Sequence, residues 1–313
     1  MNKKKIIVVA GPTASGKTAL GITLAKALHG EIISADSMQV YKNMPIATAC
    51  PTDEEKALAV HHLVEFIDPS ESFSVSQWCD LARLKIDEII SRNAIPIIVG
   101  GTGLFIDSLV DNIIFEDIEV DYELRERLMG KDADELYDEL LRVDGEAAQN
   151  IHKNNKKRVV RALELYYSGS SKSIQNINSR KEDTPYETLY FFINYKYRNK
   201  LYDRINKRVD LMLDTGLLAE VQSNLETQKA TANQAIGHKE LLPYFNGDAS
   251  IEECINNLKK ESRHYAKRQI TWFKRREGTV LLQPDIMGDS IGEYAISISE
   301  DFINGRFQKG KKE

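Results

Sequence analysis

The sequence predicts an α/β fold, a parallel sheet flanked by helices and interrupted by an all-helical insertion domain. Two patterns carry this reading. Apolar, β-branched runs at residues 6–10, 31–35, 95–99 and 189–195 alternate with helical stretches such as 18–29 and 77–92. Alternation of this kind gives parallel strands joined by right-handed crossovers. The strand signal then vanishes between about residues 121 and 167, where charged amphipathic helices are expected at 121–129, 133–143 and 157–167. The expected core comprises residues 1–115 and 187–313, and the insertion residues 116–186.

The first strand runs into Gly11-Pro12-Thr13-Ala14-Ser15-Gly16-Lys17-Thr18. This is the Gly-x-x-x-x-Gly-Lys-Ser/Thr pattern, lying between a strand and a helix as a phosphate loop requires, so the sheet reads as P-loop NTPase-like. Gly11 and Gly16 permit backbone conformations and close approaches that a Cβ blocks. The amides from Ala14 to Thr18 can then face a multiply charged anion, aided by the positive end of the following helix and by Lys17. Thr18 offers a hydroxyl to Mg²⁺, which takes a few protein oxygens plus phosphate oxygens. The pattern calls for a di- or triphosphate without saying which.

The second strand ends at Asp36, in Ser34-Ala35-Asp36-Ser37-Met38-Gln39-Val40-Tyr41. A carboxylate at a strand end beside the phosphate loop is placed either as a general base or as a helix cap or water-mediated Mg²⁺ partner. His61 and His62 are adjacent, so on a strand they point to opposite sides; a hydrogen-bonded structural pair is expected rather than a shared metal. After residues 95–99 comes Gly100-Gly101-Thr102-Gly103, either a tight strand-to-helix turn or a backbone surface for a ligand with Thr102 as its polar group. An aspartate of the Walker-B type, expected in an ATPase that activates water, does not follow Val99. Beyond the insertion, residues 168–184 read as a loop, 199–216 and 251–276 as long helices, and 308–313 as a frayed tail.

A chain of 313 residues accommodates one or two domains. No apolar run approaches the ~20 residues of a membrane span, and Met1-Asn2-Lys3-Lys4-Lys5 leads into the first strand without a signal-peptide pattern. Cys50, Cys79 and Cys254 are too scattered for a zinc site or disulfide framework, which fits a reducing cytoplasm. The net charge of −5 argues against bulk affinity for nucleic acid, but binding depends on where charge sits. Acids gather at residues 116–144. Bases gather at 152–161, and at 259–276 with Tyr265, Trp272 and Phe273 interleaved. The second cluster reads better as a nucleic-acid contact than as a solvated face, because few acids interrupt it.

Several motifs, collinear over nearly the whole chain, resemble the tRNA dimethylallyltransferases. They are the loop Gly11–Thr18, Ser-Ala-Asp-Ser-x-Gln-Val-Tyr from Ser34, His-His-Leu from His61, Val-Gly-Gly-Thr-Gly-Leu from Val99 and Lys-Arg-Val-Val-Arg-Ala-Leu-Glu from Lys157. Arg-x-Asp-Leu-Met from Arg208, Gln-Ala-Ile-Gly-x-Lys-Glu-Leu from Gln234 and Tyr-Ala-Lys-Arg-Gln-x-Thr-Trp-Phe from Tyr265 complete the set. The resemblance implies transfer of a dimethylallyl group from its diphosphate to the exocyclic amine of an adenosine beside the tRNA anticodon. It implies a catalytic Asp36 acting as general base, with Lys17 and Thr18, Mg²⁺ on Thr18, and the loop holding an isoprenoid diphosphate. It implies tRNA contacts from Asp36, Ser37, Met38, Gln39, Thr102, Arg125, Lys157, Arg158, Val159, Val160, Arg161, Gln234, Ala235, Ile236, Gly237, His238 and Lys239. Arg208 and Arg161 match positions able to reach diphosphate or backbone phosphate. A monomer that does not engage membranes is expected. The chain departs from the family pattern at Met38, often basic, and at Ala47 and Cys50, commonly glycine and lysine.

Overall fold

The computed structural model describes residues 3–115, 121–171, 183–225 and 234–307. Among them, six parallel strands form one sheet in the order β3-β2-β4-β1-β5-β6. These are β1 (Lys4–Ala10), β2 (Gly30–Ala35), β3 (His61–His62), β4 (Ile95–Gly100), β5 (Tyr186–Ile193) and β6 (Val280–Leu282). β1 lies between β4 and β5, and Ile6 through Ala10 are fully buried. That is why its sequence is a continuous apolar run rather than an alternating one.

Helix α1 (Lys17–Leu28) packs on one face with the helix Ile291–Ile303. Leu24, Ala295 and Phe302 close a core there over Ile7, Val9 and Phe191. Trp78, from the helix Val75–Ser91, stacks on Phe105 and donates its indole N–H to the Ser34 carbonyl at 3.0 Å.

Register decides where the loops emerge. Ala10 pairs with Gly100 and Phe192, and Ala35 also pairs with Gly100. The segments starting at Gly11, Asp36 and Gly101 therefore leave the same carboxyl edge, where ligands of parallel sheets collect. Gly100 permits this convergence. A Cβ on it would lie 2.1 Å from the Ala35 carbonyl oxygen, an atom of the neighbouring strand's backbone. Gly100→Ala is expected to cost at least about 1–3 kcal/mol through overpacking, read as a lowered thermal midpoint; an unchanged midpoint contradicts the close approach.

The chain divides into two compact units, one made of Met1–Val110 and Pro185–Glu313, the other of Asp111–Thr184. The second is helical in its described residues: Tyr122–Gly130, Ala133–Val143, Gly145–Asn150 and Lys156–Tyr167. Its core gathers Leu124, Leu128, Leu136, Leu140, Val160 and Leu163. Asp121, Asp132, Asp144 and Asn155 each cap a helix by accepting from a backbone amide two or three residues on.

Several elements differ from the sequence reading. The strand expected at 189–195 runs from Tyr186 to Ile193, because it pairs with β1 from Lys4 onward. β3 and β6 have two and three residues, too short for a periodicity to register, and exist through pairing with β2 and β5. The helices Gly145–Asn150 and Ile291–Ile303 were not anticipated, and the one expected at 251–276 ends at Phe273. Residues 116–120, 172–182 and 308–313 of the expected acidic stretch, loop and tail lie outside the described residues.

Candidate active site

The phosphate loop is shaped by contacts that only its own residue types allow. A Cβ on Gly11 would lie 2.6 Å from the Ile193 carbonyl oxygen, so β5 fixes that position as glycine. Gly16, with φ +96°, caps α1 in the left-handed region, and Ala14 adopts φ 59° before it. The Lys17 ammonium folds back and donates to the Pro12 carbonyl at 2.7 Å.

Two helices after the sheet close over this loop. From Arg198–Asp214, Arg208 donates to the Thr13 hydroxyl at 2.9 Å and Arg204 to the Ala14 carbonyl at 2.9 Å. From Ile251–Phe273, the buried Gln269 accepts from the Thr13 amide at 2.8 Å and donates to the Gly101 carbonyl at 2.9 Å. Thr13 is thus held by both helices, and its amide is already engaged.

The other wall comes from the segment after β2. Asp36 accepts from the Met38 amide at 2.9 Å through one carboxylate oxygen, an Asx turn that leaves the second without a protein partner among the described residues. The Ser37 amide donates to the Thr102 hydroxyl at 3.0 Å. Gln39 accepts from the Ser34 hydroxyl at 2.8 Å and donates to the Ala49 carbonyl at 2.8 Å.

These walls enclose a cavity of about 360 Å³ lined by Thr13, Ala14, Lys17, Thr18, Asp36, Ser37, Met38 and Gln39, with Gln234, Ala235, Ile236 and Lys239. Arg208, Tyr265 and Gln269 also line it. Burial, reinforced by the Arg208 charge and only partly offset by Asp36, lowers the Lys17 pKa to about 7. Burial likewise lowers that of Arg208, again with Asp36 opposing. Two desolvated cations beside one carboxylate make a site that gains from receiving an anion. Burial first, then the Asp36 charge, raises the Tyr265 pKa, so its phenol keeps its proton.

Mg²⁺ fits this donor set. The Thr18 hydroxyl lines the cavity with no protein partner among the described residues. Among those residues, no cluster of three or more His, Cys, Asp and Glu could hold a metal by itself. An ion held here would draw on the Thr18 hydroxyl, with water and phosphate oxygens supplying the other ligands.

Other expected site residues fall differently. His238 is buried beside Glu220 at 3.2 Å, so its side chain packs rather than reaching the cavity. Gly237 lies at φ +112°, where a Cβ would come within 3.2 Å of the Ala47 side chain. Lys157 and Arg158 are exposed in the helical unit. Val159 and Val160 are 0% and 3% exposed in that unit's core, which corrects their expected contact role: their side chains pack inside the unit rather than facing outward. Arg125 and Arg161 both pair with Glu164.

His61 donates through Nδ1 to the Ala59 carbonyl at 2.8 Å and His62 meets Glu31 at 2.6 Å, while only His61 of the two lines the cavity. At the departing positions, Ala47 receives its cap from Glu220 at 2.9 Å, and burial raises the Cys50 thiol pKa to about 12. Arg204 and Gln269 were missed as site residues. Arg204 and Arg208 stand four apart in an expected helix, a spacing that puts both on one face.

The geometry has counterparts. The IPP transferase family model matches residues 39–276, and the isopentenyl transferase model matches 4–65. A tRNA dimethylallyltransferase of Acetivibrio thermocellus is 46% identical over 288 residues, covering 90% of this chain and 92% of that protein. This chain belongs to the tRNA dimethylallyltransferase family. Among solved members, the tRNA isopentenylpyrophosphate transferase of Bacillus halodurans superposes with a TM-score of 0.71 at 39% identity, covering 97% of each chain. A eukaryotic dimethylallyltransferase acting on tRNA superposes with a TM-score of 0.83 at 32% identity, covering 98% of this chain and 81% of that one.

Proposed function

We propose that this enzyme transfers a dimethylallyl group from dimethylallyl diphosphate to the exocyclic amine of the adenosine adjacent to the anticodon in tRNA, giving isopentenyladenosine. Family membership makes it a prenyltransferase that modifies tRNA. The observation that carries the chemistry is the gathering of Lys17, Arg208 and Asp36 on one cavity. The cations bind the diphosphate with the amides from Ala14 to Thr18 and stabilise the charge that develops on it as the allylic C–O bond breaks. The amine nitrogen forms the new C–N bond, and Asp36 takes the proton it loses. Mg²⁺ on Thr18, when bound, neutralises part of the leaving group's charge.

The adenine leaves its stack to reach the cavity, as base-modifying chemistry requires. Ser37, Met38, Gln39 and Thr102, with Gln234, Ala235, Ile236 and Lys239, receive it. The exposed Lys157 and Arg158, with Arg125 and Arg161, hold phosphates of the stem. No helix among the described residues is long and apolar enough to cross a membrane, and action on tRNA fits a cytoplasmic monomer.

The test incubates purified protein and Mg²⁺ with labelled dimethylallyl diphosphate. Label is expected in unmodified tRNA and not in AMP. Labelled AMP instead points to a nucleotide prenyltransferase, and ATP turnover without prenyl transfer points to a kinase.

A further inference from the structure

The helical unit contains an arrangement that the phosphate-binding reading of its arginines does not by itself explain. Glu164, on the helix Lys156–Tyr167, has a side chain only 5% exposed. It takes Arg125 in a two-pronged grip, Nε to Oε1 at 2.5 Å and a terminal nitrogen to Oε2 at 2.9 Å. It takes Arg161 through Oε2 at 3.1 Å. The two arginine side chains stay 40% and 41% exposed.

We infer that Glu164 is a positioning residue that holds Arg125 and Arg161 side by side as a two-guanidinium fork for one RNA phosphate. This rests on the reading that the helical unit receives tRNA.

Three features separate this from an ordinary helix tie. Leu124, Leu128, Val160 and Leu163 already pack the two helices together, so the pairing does not need an ion triad. The donors are incompletely used: a guanidinium has five N–H groups, and the contacts with Glu164 occupy two on Arg125 and one on Arg161. The remaining donors have no protein partner among the described residues. Finally, the exposed Lys157 and Arg158 stand four and three residues before Arg161, on the same helix face. Burial pushes the Glu164 carboxyl up, but the two guanidiniums outweigh it and hold its pKa below the usual range, so the anchor stays charged. Arginine suits the fork because its planar donors match phosphate oxygens in pairs.

Glu164→Gln separates positioning from charge by sign. The substitution is nearly isosteric and makes the unit more positive. If Glu164 only neutralises its neighbours, every RNA binds the variant more tightly and with a steeper salt dependence. If it positions the fork, an unmodified anticodon stem-loop binds about tenfold more weakly, roughly one charge-assisted contact, while poly(U) binds no more weakly than to wild type. Fluorescence anisotropy with both RNAs at several salt concentrations reads this, and circular dichroism melting checks the fold.

Should Glu164→Gln fail to fold, the paired variant Arg125→Lys with Arg161→Lys keeps both charges and loses the planar fork. Weaker stem-loop binding at an unchanged salt slope supports the proposal; wild-type affinity overturns it. Tighter binding of both RNAs to Glu164→Gln overturns the positioning role alone, provided that Arg125→Ala with Arg161→Ala weakens stem-loop binding. If that alanine pair leaves affinity unchanged, the RNA-facing reading of the unit falls with it.

Discussion

Replacing Asp36 by Asn slows prenyl transfer by about 10²–10⁴-fold, the range that a positioned general base contributes, while the fold survives. Asn retains the side-chain oxygen that accepts from the Met38 amide, so the Asx turn after β2 is kept. What it loses is the capacity to take a proton and the negative charge beside Lys17 and Arg208. The second loss predicts a sign for donor binding. Asp36 partly offsets both cations, so its removal leaves them less compensated and diphosphate binds at least as tightly. A single-turnover assay with a stem-loop RNA reads the rate, and calorimetry with inorganic diphosphate reads the affinity. A near-wild-type rate removes Asp36 as the base. Loss of diphosphate affinity shows instead that the substitution damaged the loop.

Diphosphate binding takes up a proton through Lys17. With a pKa of about 7 in the unliganded protein, this lysine is about nine-tenths neutral at pH 8 and about one-tenth neutral at pH 6. A bound diphosphate places negative charge beside the ammonium and raises its pKa toward the ordinary lysine range. The folded pKa rises on binding, so uptake approaches one proton per diphosphate at pH 8 and fades as pH falls below 7. Titrations in buffers of different ionisation enthalpy measure this directly. Lys17→Met supplies the reference, since it removes this group and leaves the ligand's own protonation in place. The same variant lowers the transfer rate by about 10²–10³-fold, the cost of one lost donor to a developing anion. Equal proton uptake by wild type and Lys17→Met at pH 8 contradicts the lowered pKa.

The parts of the site legible in the sequence are those whose chemistry is local. The loop from Gly11 to Thr18 is one continuous segment, with its strand before it and its helix after it. Asp36 and Thr102 each follow a β-branched run, so their place at the carboxyl edge of a parallel sheet comes from strand order alone. The longer helices of the insertion announced themselves by charge and periodicity, though the short Gly145–Asn150 did not, and the one at Ala133–Val143 has the expected ends.

Gln269 illustrates what was not legible. It stands 256 residues from Thr13, whose amide it meets, and although it falls within the motif from Tyr265, nothing local says which of that motif's polar residues turns toward the loop. Val159 and Val160 show the opposite error: a motif recognised as a unit mixes packing residues with contact residues, and only burial separates them.

The sequence by itself determined the phosphate loop, the α/β class and the order of the elements that carry chemistry, because glycine conformations, helix dipoles and strand alternation act over a few residues. Only the tertiary structure decided that Arg204, Arg208 and Gln269 close over that loop, that Lys17 is desolvated enough to titrate near neutrality, and that Glu164 draws two arginines together. Burial and long-range pairing are properties of the packed chain, and desolvation changes what a charged group does without leaving a mark in its local sequence.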